Sequence, residues 1–428
     1  MKPALQAAAP ESSPRLHYGL VVLALIVLAV FGSLGLARFG YTSILPAMQD
    51  SLQLTNTQTG ELQSWNLLGY LATVGGAGML AARFGPRIVI SVSLLITGTA
   101  MILTGLLPSF DGARLGRFLA GVGGAGGNVP AMALISAWFG ARRRGLASGA
   151  GVGGSSIGLV VTGPLLPLVL NRYGAEGWRV GWYVLGAMAL GVGLLCARFL
   201  RNRPDEMGLR PLGETPAERT RCDAEPSASS LNWALVYRSR VLWHLAAIYF
   251  AFGFSYIVYS TFFLRYLVKE GGFTKADAGT LWLTIGMVSG LSGFAWGSFS
   301  DRWGRRLALW WVFALQGLSF LLFGSSHQLP VVYLSAALFA ITAWSIPALM
   351  AALCGDVFGA RLAPAALGLM TIVFGVGQAL GPYAAGRMAD ATQSFSLAFV
   401  TAGLVALILG GGGALLLPLK GRQDQNRL

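Results

Sequence analysis

Two arginines, Arg38 and Arg117, lie inside long apolar stretches of the 428-residue chain. An ionisable side chain at membrane depth is costly and is therefore a candidate functional group. Arg38 is too far from the N-terminal end of its stretch to reach the membrane surface on that side easily, whereas a reach to the other surface stays open. No Asp or Glu lies in the middle of any stretch. A buried guanidinium without a carboxylate partner suits an oxyanion, which it binds with two parallel hydrogen bonds. The pattern favours an anion-binding role for Arg38, with a structural hydrogen-bonding role as the alternative; for Arg117 the structural role is favoured.

Neutral polar and aromatic side chains are predicted to form the rest of this binding site. Gln63, Asn66 and Tyr70 are spaced by three and four residues, so a helix would present them on one face. Each side chain alone could instead bridge two helices or pack in an interface, and the hypothesis concerns the group. Its other members are spread over six further stretches: Asn128, Tyr256, Tyr259, Trp282, Gln316, Trp344 and Gln378.

Twelve apolar segments of membrane-spanning length must position these side chains. Charged residues make up 11% of the chain, against about 25% in soluble domains. The 59 glycines suit closely packed transmembrane helices. The composition therefore predicts an all-α protein embedded in a lipid bilayer. The segments are 17–47, 58–82, 86–107, 112–139, 144–170, 179–199, 241–268, 276–300, 305–324, 330–354, 363–388 and 392–417.

One short motif occurs twice, half the chain apart. Gly78, Arg83 and Gly85 of the first copy recur 219 residues later as Gly297, Arg302 and Gly304. The chain is therefore predicted to consist of two copies of one membrane unit, and such duplicated halves are typical of transporters with a site between them. We expect a six-helix bundle at 1–197, a linker rich in proline and charge at 198–240, and a second six-helix bundle at 241–428.

The distribution of cations predicts the orientation in the membrane. Twenty-two Lys and Arg lie on the side of the termini and the linker, and seven lie on the other side. Positive charge accumulates on the cytoplasmic side of membrane proteins, so both termini are expected there. The net charge of +14 thus reflects topology, whereas a nucleic-acid-binding protein would gather its cations on one soluble surface.

The sequence offers no pattern typical of an enzyme or of a bound cofactor. Three cysteines and three histidines are scattered along the chain, which predicts neither a disulfide framework nor a metal site. The glycine-rich run Gly123–Gly127 lacks the lysine of a phosphate-binding loop. ATP-driven transport is therefore disfavoured, and no cofactor is expected.

The repeated basic turns after segments 2 and 8 resemble those of the major facilitator superfamily, as do Arg117-x-x-x-Gly121 and the glycine–proline elements of segments 5 and 11. The linker opening at 202–211 is similar to that of monocarboxylate and oxalate porters. The resemblance implies a twelve-helix fold of two pseudo-symmetric bundles, a cavity lined mainly by segments 1, 4, 7 and 10, and rocker-switch alternating access.

The resemblance also implies that the basic turns act as gates. This chain carries Ala82 where the first turn of the family has an aspartate, whereas Asp301 is present in the second, so an asymmetric gate is expected. Anchoring of the helix ends at lipid headgroups is the alternative. The predicted gating residues are Arg83, Arg87, Asp301, Arg302, Arg305, Arg306 and, with a structural or proton-relay part, Arg117.

Together these features predict a secondary transporter for a small, carboxylate-type organic anion in a bacterial cytoplasmic membrane, acting as a monomer. Proton symport, anion exchange and facilitated diffusion all stay open. Efflux of amphipathic drugs or metabolites is the second transport hypothesis, favoured by the exporter-like glycine–proline element of segment 5. A transporter-like receptor or scaffold is the hypothesis from another class.

Overall fold

The computed structural model describes residues 17–214 and 238–417, which are almost entirely helical. Eleven stretches are long and apolar enough to cross a membrane; one of them, Arg143–Phe199, contains two helices joined by a short turn at Gly174–Glu176. The described chain thus contains the twelve predicted segments. They are α1 Tyr18–Ser51, α2 Asn56–Phe84, α3 Pro86–Leu106, α4 Phe110–Trp138, α5 Ala141–Tyr173, α6 Gly177–Phe199, α7 Arg240–Lys269, α8 Lys275–Trp303, α9 Arg305–Ser325, α10 Leu329–Phe358, α11 Ala366–Thr392 and α12 Ser396–Leu415.

The two basic turns have the same backbone shape. Gly85 ends α2 with φ 85° and ψ 142°, and Gly304 ends α8 with φ 94° and ψ 149°. Positive φ is easily adopted only by glycine, which explains why both copies of the motif keep a glycine here. Each turn is followed at once by the next helix, α3 or α9.

One end of the bundle is closed by contacts between α1–α6 and α7–α12. We call it the sealed end. The Arg265 guanidinium of α7 donates hydrogen bonds to Gln49 Oε1 (3.1 Å) and Asn56 Oδ1 (2.9 Å), and it pairs with Glu270 (2.5 Å). Asp390 of α11 accepts hydrogen bonds from the backbone N–H groups of Asn56 and Thr57, both at 2.8 Å. These bonds fasten the first turn of α2 to the second half of the chain.

The opposite end carries both basic turns, and we call it the basic end. Here the helices of the two halves leave their glycine faces uncovered. A Cβ atom added at Gly75, Gly78, Gly149 or Gly297 would meet no heavy atom within 4 Å. At the sealed end, by contrast, a Cβ at Gly60 of α2 would approach the carbonyl oxygen of Pro382 to 2.0 Å. The halves are therefore packed together at one end and separated at the other.

The first part of the linker packs against the first half of the chain. Leu212 N–H donates to the carbonyl of Trp138 (2.8 Å), and Asn202 Oδ1 accepts from the backbone N–H of Arg87 (2.8 Å). Residues 215–237 of the predicted linker lie outside the described residues.

Candidate functional site

A cavity of about 220 Å³ lies between the two halves, in the middle of the bundle. It is smaller than the ~300–1,000 Å³ pockets that hold drug-sized ligands, so it suits a small molecule. Six helices contribute a predicted binding residue to its lining, three from each half. These residues are Arg38 (α1), Tyr70 (α2), Asn128 (α4), Tyr256 (α7), Trp344 (α10) and Gln378 (α11).

Arg38 lies in a part of α1 that changes to π-helical geometry over Phe31–Phe39. Wider turns of this kind are frequent at functional sites. The side chain is buried, with 7% of its surface exposed. Its Nη1 lies 3.5 Å from the Tyr256 hydroxyl, and its guanidinium carbon lies 5.2 Å from the centre of the Tyr70 ring. Within residues 17–214 and 238–417 no ion pair joins Arg38 to a carboxylate, and its Nε has no hydrogen-bond partner.

Five other polar side chains of the cavity already form hydrogen bonds within the protein. The Gln378 amide donates to the Tyr256 hydroxyl, and the Asn128 amide donates to the Tyr70 hydroxyl at 3.1 Å. Trp344 Nε1 lies within hydrogen-bonding distance of two hydroxyls, those of Ser156 in α5 (2.9 Å) and Ser289 in α8 (3.1 Å). Among the described residues, Arg38 is the one charged side chain of this lining, and its Nε is a buried donor without a partner.

Five of the predicted binding residues lie outside the lining of this cavity. Their polar groups or rings serve contacts between helices instead. Gln63 accepts from Arg117 (2.6 Å), Asn66 donates to the carbonyl of Arg117 (3.0 Å), Tyr259 bonds Ser335 (2.9 Å), Gln316 donates to the carbonyl of Thr342 (3.1 Å), and Trp282 stacks on Phe263 at 5.4 Å.

Arg117 is fully buried in the first half and supports the segment that carries Arg38. Its guanidinium donates to the carbonyl oxygen of Ala37 at 2.5 Å and to Gln63 at 2.6 Å. The rings of Tyr41 and Trp182 flank it at 4.6 and 5.5 Å. Carbonyl and amide oxygens together with aromatic faces can stabilise a buried cation. Arg117 thus fixes the peptide group directly before Arg38.

The predicted gating residues lie at the basic end, apart from Arg117. Arg305 pairs with Asp301 at 2.6 Å and with Asp356 of α10 at 3.0 Å, so these contacts stay inside the second half. Arg87 donates to the carbonyl of Ala197 at the end of α6. The remaining members are exposed: Arg83, which contacts the Phe84 ring, Arg302 and Arg306.

One wall of the cavity was predicted from the sequence only at Tyr256. The rings of Tyr249, Phe252, Tyr256 and Phe374 line it and have nearly parallel planes, with angles between 2° and 16°. The signal was present in part, because positions 249, 252 and 256 have helical spacing of three and four. The charged contacts of Arg265 and Asp390 at the sealed end were missed as well. Among the described residues no group of His, Cys, Asp and Glu could hold a metal ion.

Comparisons with known proteins give a consistent result. The profile of a family described as "Uncharacterised MFS-type transporter YbfB" matches residues 30–414. The probable sulfoacetate transporter SauU of Cupriavidus necator is 27% identical over 389 residues, which cover 86% of each chain. The hexuronate transporter of Bacillus subtilis is 23% identical over 403 residues, covering 90% of this chain and 92% of the relative. Monocarboxylate transporter 3 of Rattus norvegicus is 27% identical over 353 residues, covering 79% of this chain and 69% of the relative.

The fold also matches a solved structure, that of a bacterial homolog to the human lysosomal transporter Spinster in an inward-facing and occupied conformation. The TM-score is 0.74 with 16% sequence identity, over 96% of this chain and 99% of the other. The twelve-helix fold predicted from the sequence is thereby confirmed.

Proposed function

Since this chain belongs to the family described as uncharacterised MFS-type transporter YbfB, and is therefore a membrane transporter and not an enzyme, we propose that it carries a small organic anion across a bacterial cytoplasmic membrane. Arg38 binds the acidic group in the cavity between the halves. Tyr70, Asn128, Tyr256, Trp344 and Gln378 form the rest of the lining.

The observation that carries this proposal is the buried guanidinium of Arg38, which has no carboxylate partner among the described residues and an unbonded Nε. A buried, unpaired charge is strongly unfavourable, and an anion from solution would neutralise it. Arg binds carboxylates and other oxyanions through two parallel hydrogen bonds. The relatives named above carry sulfoacetate, hexuronate and monocarboxylates, all of which have such a group.

The proposed mechanism is alternating access by rocking of the two halves about the central cavity. The halves are held together at the sealed end by Asp390 and Arg265 and are separated at the basic end. This arrangement corresponds to one of the two end states that such a mechanism needs. The halves comprise 1–197 and 241–428, and by the excess of cations at the basic end that end faces the cytoplasm.

The test is anion binding and uptake by Arg38→Ala and Arg38→Lys proteins. Removing one partner of a buried charge pair costs about 3–5 kcal/mol, which corresponds to more than roughly a hundredfold in affinity. Arg38→Lys should also fail largely, because an ammonium group lacks the planar pair of donors. Arg172→Ala and Arg172→Lys, at an exposed position, are the matched controls.

Binding is measured by ligand-induced thermal shift with sulfoacetate, glucuronate, lactate and benzoate, and transport by uptake into proteoliposomes with and without a pH gradient. Unliganded melting temperatures report the folding of each variant separately. If a well-folded Arg38→Ala protein binds and transports the anions within about threefold of the parent, which is under 1 kcal/mol, Arg38 is a packing residue and the proposal fails.

A further inference from the structure

The aromatic wall, defined as Tyr249, Phe252, Tyr256 and Phe374, covers the second-half side of the cavity. Its ring centroids are 4.4–6.2 Å apart, and the planes differ by at most 16°. Rings with nearly parallel planes and centroids this close form an offset stack. Such a stack favours a ligand that carries an aromatic ring of its own, because offset-stacked or edge-on aromatic pairs add attraction beyond the area that they bury.

The part of the cavity lining that comes from the first half of the chain carries one positive charge. Arg38 is the one Lys or Arg among the described lining residues, and Asp, Glu and His are missing from this set. A ligand with a single acidic group therefore brings the site to neutrality. A second acidic group would enter the same low-dielectric space without a counter-charge, which is costly.

Much of the lining is apolar, which disfavours ligands with many hydroxyl groups. Its apolar members include Val30, Leu34, Leu71, Val74, Met132 and Val152. The amides of Gln378 and Asn128 donate to Tyr256 and Tyr70, and the Trp344 indole contacts two serine hydroxyls. A sugar acid would place several of its hydroxyls against the apolar side chains of the lining, where they find no partner. Each unsatisfied buried polar group costs about 1–3 kcal/mol, so such a ligand would bind poorly.

From these three observations we propose that the transported anion is an aromatic monoanion, a monocarboxylate or monosulfonate whose acidic group binds Arg38 and whose ring lies against the aromatic wall. This inference rests on the proposed function and narrows it. Arg38 in the first half of the chain binds the acidic group of the ligand. The aromatic wall in the second half selects the shape of the rest of the ligand. The cavity volume of about 220 Å³ suits a small aromatic acid.

The first test compares binding of four acids to the purified protein by isothermal titration. Benzoate has one charge and a flat ring, and cyclohexanecarboxylate has the same head and carbon number without flatness. Phthalate adds a second acid, and glucuronate replaces the ring by a polyol. Benzoate should bind tightest, and phthalate and glucuronate should bind about tenfold more weakly or worse, a difference of about 1.4 kcal/mol.

The second test changes the aromatic wall. Phe374→Leu keeps an apolar side chain at a partly exposed position of the cavity but removes its ring. Benzoate affinity should fall about two- to tenfold, and cyclohexanecarboxylate affinity should change little. Phe320→Leu is the control, because this ring is buried in the second half beside Tyr259 and outside the lining.

The possible outcomes separate this inference from the proposed function. If glucuronate binds and benzoate does not, or if Phe374→Leu weakens both monoacids equally, the aromatic class is wrong. If phthalate binds as tightly as benzoate or more tightly, the single charge is wrong. Anion transport stands in each of these cases. If none of the four acids binds and none is taken up by proteoliposomes, the proposed function itself falls.

Discussion

Arg38 and Tyr256 occupy corresponding positions of the two halves of the chain and touch each other in the folded protein, with Arg38 Nη1 3.5 Å from the Tyr256 hydroxyl. They are 218 residues apart, one residue less than the 219-residue interval between the two basic turns. Thr42 and Ser260 are also 218 residues apart, and the Thr42 hydroxyl donates to the carbonyl of Ser260 at 2.8 Å. Corresponding positions of α1 and α7 thus meet where the halves join. At the level of the cavity, one half supplies a cation and the other a neutral aromatic ring.

Tyr256→Phe should lower stability and anion affinity modestly. The substitution keeps the ring in the aromatic wall but removes the hydroxyl that accepts from Gln378 and contacts Arg38. A buried amide left without an acceptor costs about 1–3 kcal/mol. The melting temperature should therefore drop, and benzoate affinity should change far less than in Arg38→Ala. Tyr249→Phe, in the same wall, is the control, and a Tyr256→Phe protein that melts like the parent would contradict the hydrogen-bond role.

The sequence was sufficient to predict the twelve helices and the family, because apolar length and the repeated turns are local signals. The sequence did not predict which of the candidate binding side chains face the cavity. Tyr256 and Tyr259 are three residues apart on one helix, yet Tyr256 lines the cavity and Tyr259 packs against Ser335. Their roles depend on the rotation of α7 about its axis, which the packing of its neighbours decides. Gln63 of α2 likewise bonds Arg117 because of where α4 lies beside α2. The local sequence of α2 does not predict that placement.

Arg117→Lys should weaken anion binding indirectly. A lysine cannot bond the Ala37 carbonyl and Gln63 in the same planar arrangement, and a lost buried hydrogen bond costs about 1–3 kcal/mol. Because Ala37 precedes Arg38 in the π-helical segment, the Arg38 side chain should become less well positioned. Thermal melting and benzoate titration measure the two effects. Arg114→Lys, three residues earlier on α4 and paired with exposed Asp111, is the control, and unchanged affinity in Arg117→Lys would limit Arg117 to a stabilising role.

Asp390→Asn should open the sealed end more often. The carboxylate accepts from two backbone N–H groups at the positive end of α2 and from the Thr57 hydroxyl. Hydrogen bonds to a charged group contribute about 1.5–3 kcal/mol, equivalent to roughly a ten- to hundredfold change in the ratio of states. The reporter is Ser43→Cys in a protein lacking Cys196, Cys222 and Cys354, since Ser43 is buried beside α7 and α8 near this end.

Labelling of that cysteine by a membrane-impermeant maleimide should accelerate in the Asp390→Asn background. Asp277→Asn is the control. It makes the same charge change near the same end, but within the described part of the chain the Asp277 carboxylate bonds only Thr274, at the start of its own helix, α8. Equal labelling rates in both backgrounds would show that Asp390 does not hold the sealed end closed.

Asp301→Asn should shift the same equilibrium in the opposite direction. In the present state Asp301 pairs with Arg305 inside the second half, and its side chain is 67% exposed. An exposed pair of this kind contributes at most about 1 kcal/mol, so the melting temperature should hardly change. The predicted gating role instead concerns the state in which the basic end closes and the turns of α2 and α8 approach each other. Ala82, in the other turn, cannot replace the lost carboxylate.

The Ser43→Cys reporter should therefore label more slowly in Asp301→Asn, and uptake should fall strongly. Ala82→Asp should be tolerated or slow the transport cycle. Asp111→Asn controls for the loss of a negative charge, because it breaks an exposed ion pair with Arg114 at the start of α4. Normal uptake with unchanged labelling in Asp301→Asn would reduce the basic turns to anchors at the membrane surface.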